Sequence, residues 1–243
     1  MPLITSPDYD VVVDRKPEEI AGQLLSRSQQ VSPPVDLEKI ITDFTNIKTE
    51  YTSLTGTGYL VDLVGSTACI LIEKNSQETR RSRFTLAHEL GHWILHRFAE
   101  KSVEDGPPVK RASTDQLESW CDNFATELLM PSPWITDFAG NFERVARPQV
   151  LFGGPMLFDV SREAFYLRLG NIYGVDVIEM AASGKVTTWS RNAPHIDEYA
   201  RRRLTEQVSP NEWKRAETEP FCKGPFQFAF RYGPRWIILI VTG

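Results

Sequence analysis

Apolar residues recur along this chain at two different periods, and each change of period marks an element. Ile20, Leu24 and Leu25 keep helical spacing behind Pro17-Glu18-Glu19, where a proline suits the first helical position. Pro33-Pro34 interrupts, and Leu37, Ile40, Ile41 and Phe44 predict a second helix opening at Asp36. Gly58–Leu63 and Ala68–Ile72 then read as strands flanking Gly65-Ser66, the pattern of a hairpin. Two stronger helices follow, from about Ser82 to Phe98 and from about Ser113 to Met130. A polar loop containing Asp105-Gly106-Pro107-Pro108 separates them, and Pro131 and Pro133 stop the second. Another helix opens at Ser161 and runs through Ala164, Phe165, Leu167 and Leu169 toward Gly170 and Gly174. Beyond about residue 185 the pattern changes. A basic helix is predicted over 194–208, and strands over Phe226–Phe230 and Trp236–Ile240 pair around Tyr232-Gly233-Pro234. Helices with a small sheet before them predict an α+β fold, with no internal repeat.

Composition narrows the class. Hydrophobic residues make up 41% of the 243, enough for a real core, and the 24% charged fraction is ordinary. A net charge of -5 argues against a broad electrostatic grip on nucleic acid. The three cysteines, Cys69, Cys121 and Cys222, form no C-x-x-C pair and are odd in number, which points away from a disulfide framework. The first residues lack a basic segment followed by an apolar run, and Trp236–Val241 is far too short to span a bilayer. A cytoplasmic protein that does not enter membranes is the expectation.

The candidate chemistry lies on the first of the two strong helices. His88 and His92 are four residues apart in His88-Glu89-Leu90-Gly91-His92. Four residues turn an α-helix by about 400°, so the two imidazoles share one face about 40° apart. Two nitrogens so placed can reach a single ion, and imidazole with carboxylate ligands suits zinc. Glu89, on the rim of that face, is placed to take a proton from water and deliver it to a leaving amine. Gly91 lets another backbone approach, at a helix-propensity cost of ~1 kcal/mol relative to Ala. The five-residue pattern also arises by chance in helices that hold no metal.

A third ligand must come from elsewhere. His96 is rotated by about 80° from His88 and lies about 12 Å along the axis, too far for the same ion. Glu118 is the stronger candidate. Leu117, Trp120, Cys121, Phe124 and Leu128 form the apolar stripe of the second helix, with Glu118 and Asp122 one turn apart along its edge. Asp122 there could accept an N–H from a ligating imidazole, or be an ordinary solvated carboxylate. Two capping boxes compete at this helix start: Asp115 with Glu118, which would occupy Glu118, and Ser113 with Gln116, which would free it.

These residues resemble a known family. Arg83-Phe84-Thr85-Leu86-Ala87-His88-Glu89-Leu90-Gly91-His92, with Leu95-His96, is similar to the signature helix of the ImmA/IrrE metallopeptidases. Glu118-Ser119-Trp120-Cys121-Asp122-Asn123-Phe124-Ala125, then Leu128-Leu129-Met130-Pro131, resembles that family's second block, with Cys121 in place of the usual alanine. Val160-Ser161-Arg162-Glu163-Ala164 and Arg168-Leu169 give a weaker third match. The resemblance implies a zincin-like domain, one zinc per chain held by His88, His92 and Glu118, and Glu89 as general base. It implies hydrolysis of a peptide bond in a regulatory protein, a helix-turn-helix transcriptional repressor. The expected organisation is a metallopeptidase domain over 15–185 and a small C-terminal α/β appendage over 186–243.

Several features stay outside this reading. Arg80-Arg81-Ser82-Arg83 could grip an acidic substrate or simply be a solvated turn, and Arg201-Arg202-Arg203 could pair with Glu198 and Glu206. His195 and Tyr166 have oxyanion-donor chemistry but are assigned no catalytic role. The rival functions are a zinc-fold protein that controls a partner stoichiometrically and a DNA-binding regulator using the helix at Ser161. The oligomeric state is not legible.

Overall fold

The fold is described from a computed structural model covering residues 16–52, 58–63, 67–73, 79–105, 113–145, 147–181, 221–223, 226–232 and 235–241. The helix predicted over 194–208, with His195 and Arg201–Arg203, lies outside these residues. The described elements are α+β in composition and divide into two compact units. One comprises Met1–Trp134 with Phe158–Val160, the other Ile135–Leu157 with Ser161–Gly243.

In the first unit, α1 spans Pro17–Arg27 with its proline at the predicted start, and α2 spans Leu37–Phe44. Asp36 caps α2 by accepting from the Lys39 backbone N–H at 2.9 Å, so the polar residue before the apolar run is the start signal it resembles. The hairpin is present: β2 (Gly58–Leu63) pairs antiparallel with β3 (Thr67–Glu73). A strand the periodicity does not announce, β1 (Lys48–Thr52), lies parallel to β3 on its other side, giving the order β1-β3-β2. Its sequence Lys-Thr-Glu-Tyr-Thr is polar because the strand is an exposed edge, which charged residues keep from pairing with other chains. The middle strand β3 buries Ala68, Cys69, Ile70 and Ile72.

The two strong helices are α3 (Thr79–Asp105) and α4 (Thr114–Leu129), packed against one another. The competition between capping boxes is resolved at α4: Ser113 accepts from the Gln116 N–H at 3.3 Å, and Gln116 Oε1 accepts from the Ser113 N–H at 2.9 Å. Glu118 is therefore not the residue that closes this box. α4 buries Leu117, Trp120, Cys121, Phe124, Ala125, Leu128 and Leu129. At ~1.5–3 kcal/mol for each large apolar side chain, this stripe dominates the helix's stability. α1 also packs on α4, and β2 and β3 pack on α3.

In the second unit, α6 (Phe142–Val145), α7 (Pro148–Leu157) and α8 (Arg162–Tyr173) follow α5 (Ser132–Ala139). Pro133, expected only to end α4, sits in the first turn of α5, where a missing N–H costs nothing. Ser161 caps α8 by accepting from the Ala164 N–H at 3.1 Å. Gly174 closes it at φ +64, a left-handed conformation that favours glycine. β4 (Val175–Ala181), β5 (Phe221–Lys223), β6 (Phe226–Tyr232) and β7 (Arg235–Val241) form a sheet in the order β4-β7-β6-β5. The predicted pairing of the last two strands is present, with Tyr232 opposite Arg235. The first strand of this sheet lies upstream of residue 186. Arg168 and Tyr166 are buried in α8. Among the described residues no helix is long and apolar enough to cross a membrane.

Two adjacent glycines of α7 test this packing. A Cβ on Gly154 would fall inside the ring edge of Phe165, which is fully buried and has no room to swing out, whereas a Cβ on Gly153 would meet nothing closer than Phe138 at 3.7 Å. Gly154→Ala is expected to lower stability by about 1–3 kcal/mol. Gly153→Ala is expected to raise it by up to ~1 kcal/mol through helix propensity. Urea unfolding midpoints check both; equal midpoints for the two variants would show that the ring contact does not constrain α7.

Candidate metal centre

Four side chains meet where α3 crosses α4. α3 supplies His88 and His92 from one face, one turn apart, and α4 supplies Glu118 and Asp122, also one turn apart. Packed against one another, the two pairs bring His88 against both carboxylates and His92 against Glu118. His88 Nε2 lies 3.0 Å from His92 Nε2 and 3.2 Å from Glu118 Oε2. His92 Nε2 lies 3.4 Å from Glu118 Oε1. On the far side of its ring, His88 Nδ1 is 3.0 Å from Asp122 Oδ1. The two imidazoles meet edge to face, with centroids 4.8 Å apart.

Gly91 sets this distance. A Cβ there would stand 3.2 Å from Phe124 Cδ1 and 3.3 Å from the Cys121 backbone, so a side chain at this position would force α3 and α4 to give by a few tenths of an ångström. Cys121, small and fully buried, fills the other side of the same contact. Burial first, then the carboxylates of Glu118, Glu89 and Asp122, push the Cys121 thiol far above its ordinary range. It stays protonated, a packing residue rather than a thiolate nucleophile or ligand. Cys69 is likewise buried and free of any disulfide.

The start of α3 is held separately. Arg83 donates from Nη2 to the Val35 carbonyl at 2.7 Å and from Nε to the Asp159 carbonyl at 3.2 Å. The same Nε stands 3.1 Å from Asp159 Oδ2, and Arg80 Nε stands 3.3 Å from Asp159 Oδ1. Asp159 itself adopts φ +52, a left-handed conformation that asparagine and aspartate tolerate best among side-chain-bearing residues. Both arginines thus have partners within the fold. Sequence periodicity could not reveal this, because the partner lies more than seventy residues downstream.

The electrostatics are uneven. Burial opposes a charge on His88, yet the bond and charge of Asp122, joined by Glu89 and Glu118, outweigh it and raise its pKa above the ordinary imidazole value. For His92, burial and then the charge of His88 lower the pKa, and Glu118 offsets them only in part. Glu89 follows His88 on α3, and its charge helps to raise the pKa of both His88 and Cys121. The side chain of Glu118 is 51% exposed, so the carboxylate face opens to solvent. The side chain of His96 lies outside the described residues.

The donor set fits a cation. Two imidazole nitrogens and a carboxylate are the ligands zinc takes at its open catalytic sites, and tetrahedral bonds of ~2.0–2.2 Å separate ligand atoms by about 3.4 Å. The observed separations of 3.0, 3.2 and 3.4 Å already approach that spacing. Among the described residues, His88, His92 and Glu118 are the group of this kind.

The comparisons with known proteins bear on the same segment. The family model described as Peptidase_M78, IrrE N-terminal-like domain, matches residues 39–169, just over half of the chain. No curated protein matches. A solved structure described as a Mycobacterium tuberculosis transcriptional regulator is similar at 14% identity and a TM-score of 0.49, over 74% of this chain. This chain spans 56% of the length of that one.

If the Gly91 contact fixes the distance between α3 and α4, a branched side chain there must push the helices apart. Gly91→Val is expected to cost about 1–3 kcal/mol in urea unfolding. A variant as stable as the parent would mean the helices separate freely.

Proposed function

Since the chain belongs to the Peptidase_M78 family of IrrE N-terminal-like domains, we propose that it is a zinc-dependent endopeptidase that cuts a regulatory protein. The observation that carries this reading is the convergence of His88 Nε2, His92 Nε2 and the Glu118 carboxylate from two helices, with the charge of Glu89 beside them. His88, His92 and Glu118 would hold one zinc ion per chain. A bound zinc ion would acidify water and polarise a peptide carbonyl.

The chain's own residues supply the remaining steps. Glu89 accepts a proton from the attacking water as the water adds to the scissile carbon, and returns it to the amine nitrogen as the C–N bond breaks. One carboxylate thereby serves as base and then acid, and both products leave at neutral charge balance. The half-exposed Glu118 leaves the centre open on one side, as a macromolecular substrate requires. The substrate class, a helix-turn-helix transcriptional repressor, follows from the resemblance to ImmA/IrrE proteins.

The test is incubation of the purified protein, with and without added zinc, with helix-turn-helix repressors from the same genome, beginning with any encoded beside it. A discrete cut is expected, and removal of the metal with 1,10-phenanthroline should abolish it until zinc is restored. Glu89→Gln should retain one zinc per chain while cutting at least ~100-fold more slowly, the scale of a lost general base. Equal cutting by that variant would overturn the mechanism. Full metal content with tight repressor binding and no cut would replace it with stoichiometric control.

A further inference from the structure

Of the arginines that open α3, Arg80 and Arg83 reach Asp159, while Arg81 stands exposed on the helix between them. We propose that Arg81 is a specificity-determining residue, binding a carboxylate side chain of the substrate about three extended residues from the bond to be cut. The inference rests on the metallopeptidase reading above and concerns which substrates the centre accepts, not the hydrolysis itself.

Helical geometry separates the three arginines. At about 100° per residue, Arg81 lies about 20° from the direction of His88 and about 20° from that of His92, on opposite sides. The two imidazoles therefore bracket it. Arg80 is turned about 100° away and Arg83 about 160°, so those two can meet Asp159 while Arg81 shares the metal-binding face. Burial follows the same division: Leu86, Ala87, Leu90 and Gly91 are buried, whereas Arg81 is exposed and Thr85, His88, Glu89 and His92 are partly so. Nearest the line from Arg81 to His88 is Thr85, a small residue whose hydroxyl turns back to donate to the Arg81 carbonyl at 3.2 Å. Arg81 precedes His88 by about 10.5 Å along the axis, which an extended chain at about 3.3 Å per residue covers in about three residues. A guanidinium offers paired N–H donors that match a carboxylate, so the side chain it selects is Asp or Glu. The first turn of α3 holds no acidic residue, and its partial positive charge favours the same ligand. Closer to the histidines, the carboxylates of Glu89, Glu118 and Asp122 repel such a side chain, so the preference is confined to the Arg81 end of the face.

The experiment uses the zinc-loaded full chain and alanine peptides carrying a hydroxamate at either terminus, which anchors on zinc whatever the natural substrate. A single Asp, Asn or Lys is placed at successive distances from the hydroxamate, and affinity is read by isothermal titration calorimetry. Asp about three residues away is expected to bind about three- to fivefold tighter than Asn at the same position. Arg81→Gln should erase that difference, and Arg81→Glu should make Lys the preferred residue there, both with zinc uptake unchanged. Equal affinities of the Asp and Asn peptides for the wild-type chain at every distance overturn the proposal, even if a variant fails to fold. So does a preference for Asp that survives Arg81→Gln. A wild-type chain that prefers the Asp peptide but cuts no repressor supports the role of Arg81 while sinking the peptidase reading. One that takes up no zinc overturns both, so the two failures are distinct.

Discussion

Everything proposed for this chain depends on one van der Waals contact, the seating of Gly91 against Cys121 and Phe124. Helices ordinarily pack 8–10 Å apart, a distance set by the side chains between them. Side chains as short as imidazole and carboxylate can meet across such a gap only when both reach directly toward one another. The missing Cβ of Gly91 and the small side chain opposite it bring the two backbones close beside the place where His88, His92, Glu118 and Asp122 meet. The glycine weakens α3 as a helix, and the apolar stripe of α4 offsets that weakness through burial.

The same closeness creates the electrostatic character of the centre. Two imidazoles 3.0 Å apart cannot both be charged at modest cost, and the lowered pKa of His92 beside the raised pKa of His88 expresses that conflict. Asp122, Glu89 and Glu118 surround the pair with negative charge, an environment that favours a cation among these nitrogens. The centre is thus strained toward positive charge before any ion is considered.

How much of this was legible in the sequence follows from whether the determinants are local. Helical spacing disclosed α3 and α4, and the five-residue motif disclosed which face of α3 carries the imidazoles. The choice between two overlapping capping boxes needed coordinates, because Ser113 and Asp115 are equally good caps on paper. β1 went unread because an exposed edge strand has no apolar alternation to detect. α5 and α7 were hidden by Pro133, Pro148, Gly153, Gly154 and Pro155, residues that signal loops in isolation, and α6, at four residues, is too short to show a period. The clamp of Arg80 and Arg83 on Asp159 is a long-range partnership, and a run of arginines does not reveal whom it binds.

The antiparallel pairing of β4 with β7 joins Val175 to Val241, so two strands separated by more than fifty residues share one ladder. The sequence suggests a peptidase-like domain ending near residue 185, which invites division of the gene there. Such a cut would strip β4 of its neighbour and leave a row of unsatisfied N–H and C=O groups beside Val175, Val177 and Ile178. The fragment would carry an adhesive edge into solution, and its aggregation would be mistaken for a defect of the portion that matches the family. Where the chain's resemblance ends and where its hydrogen bonding permits division are different places.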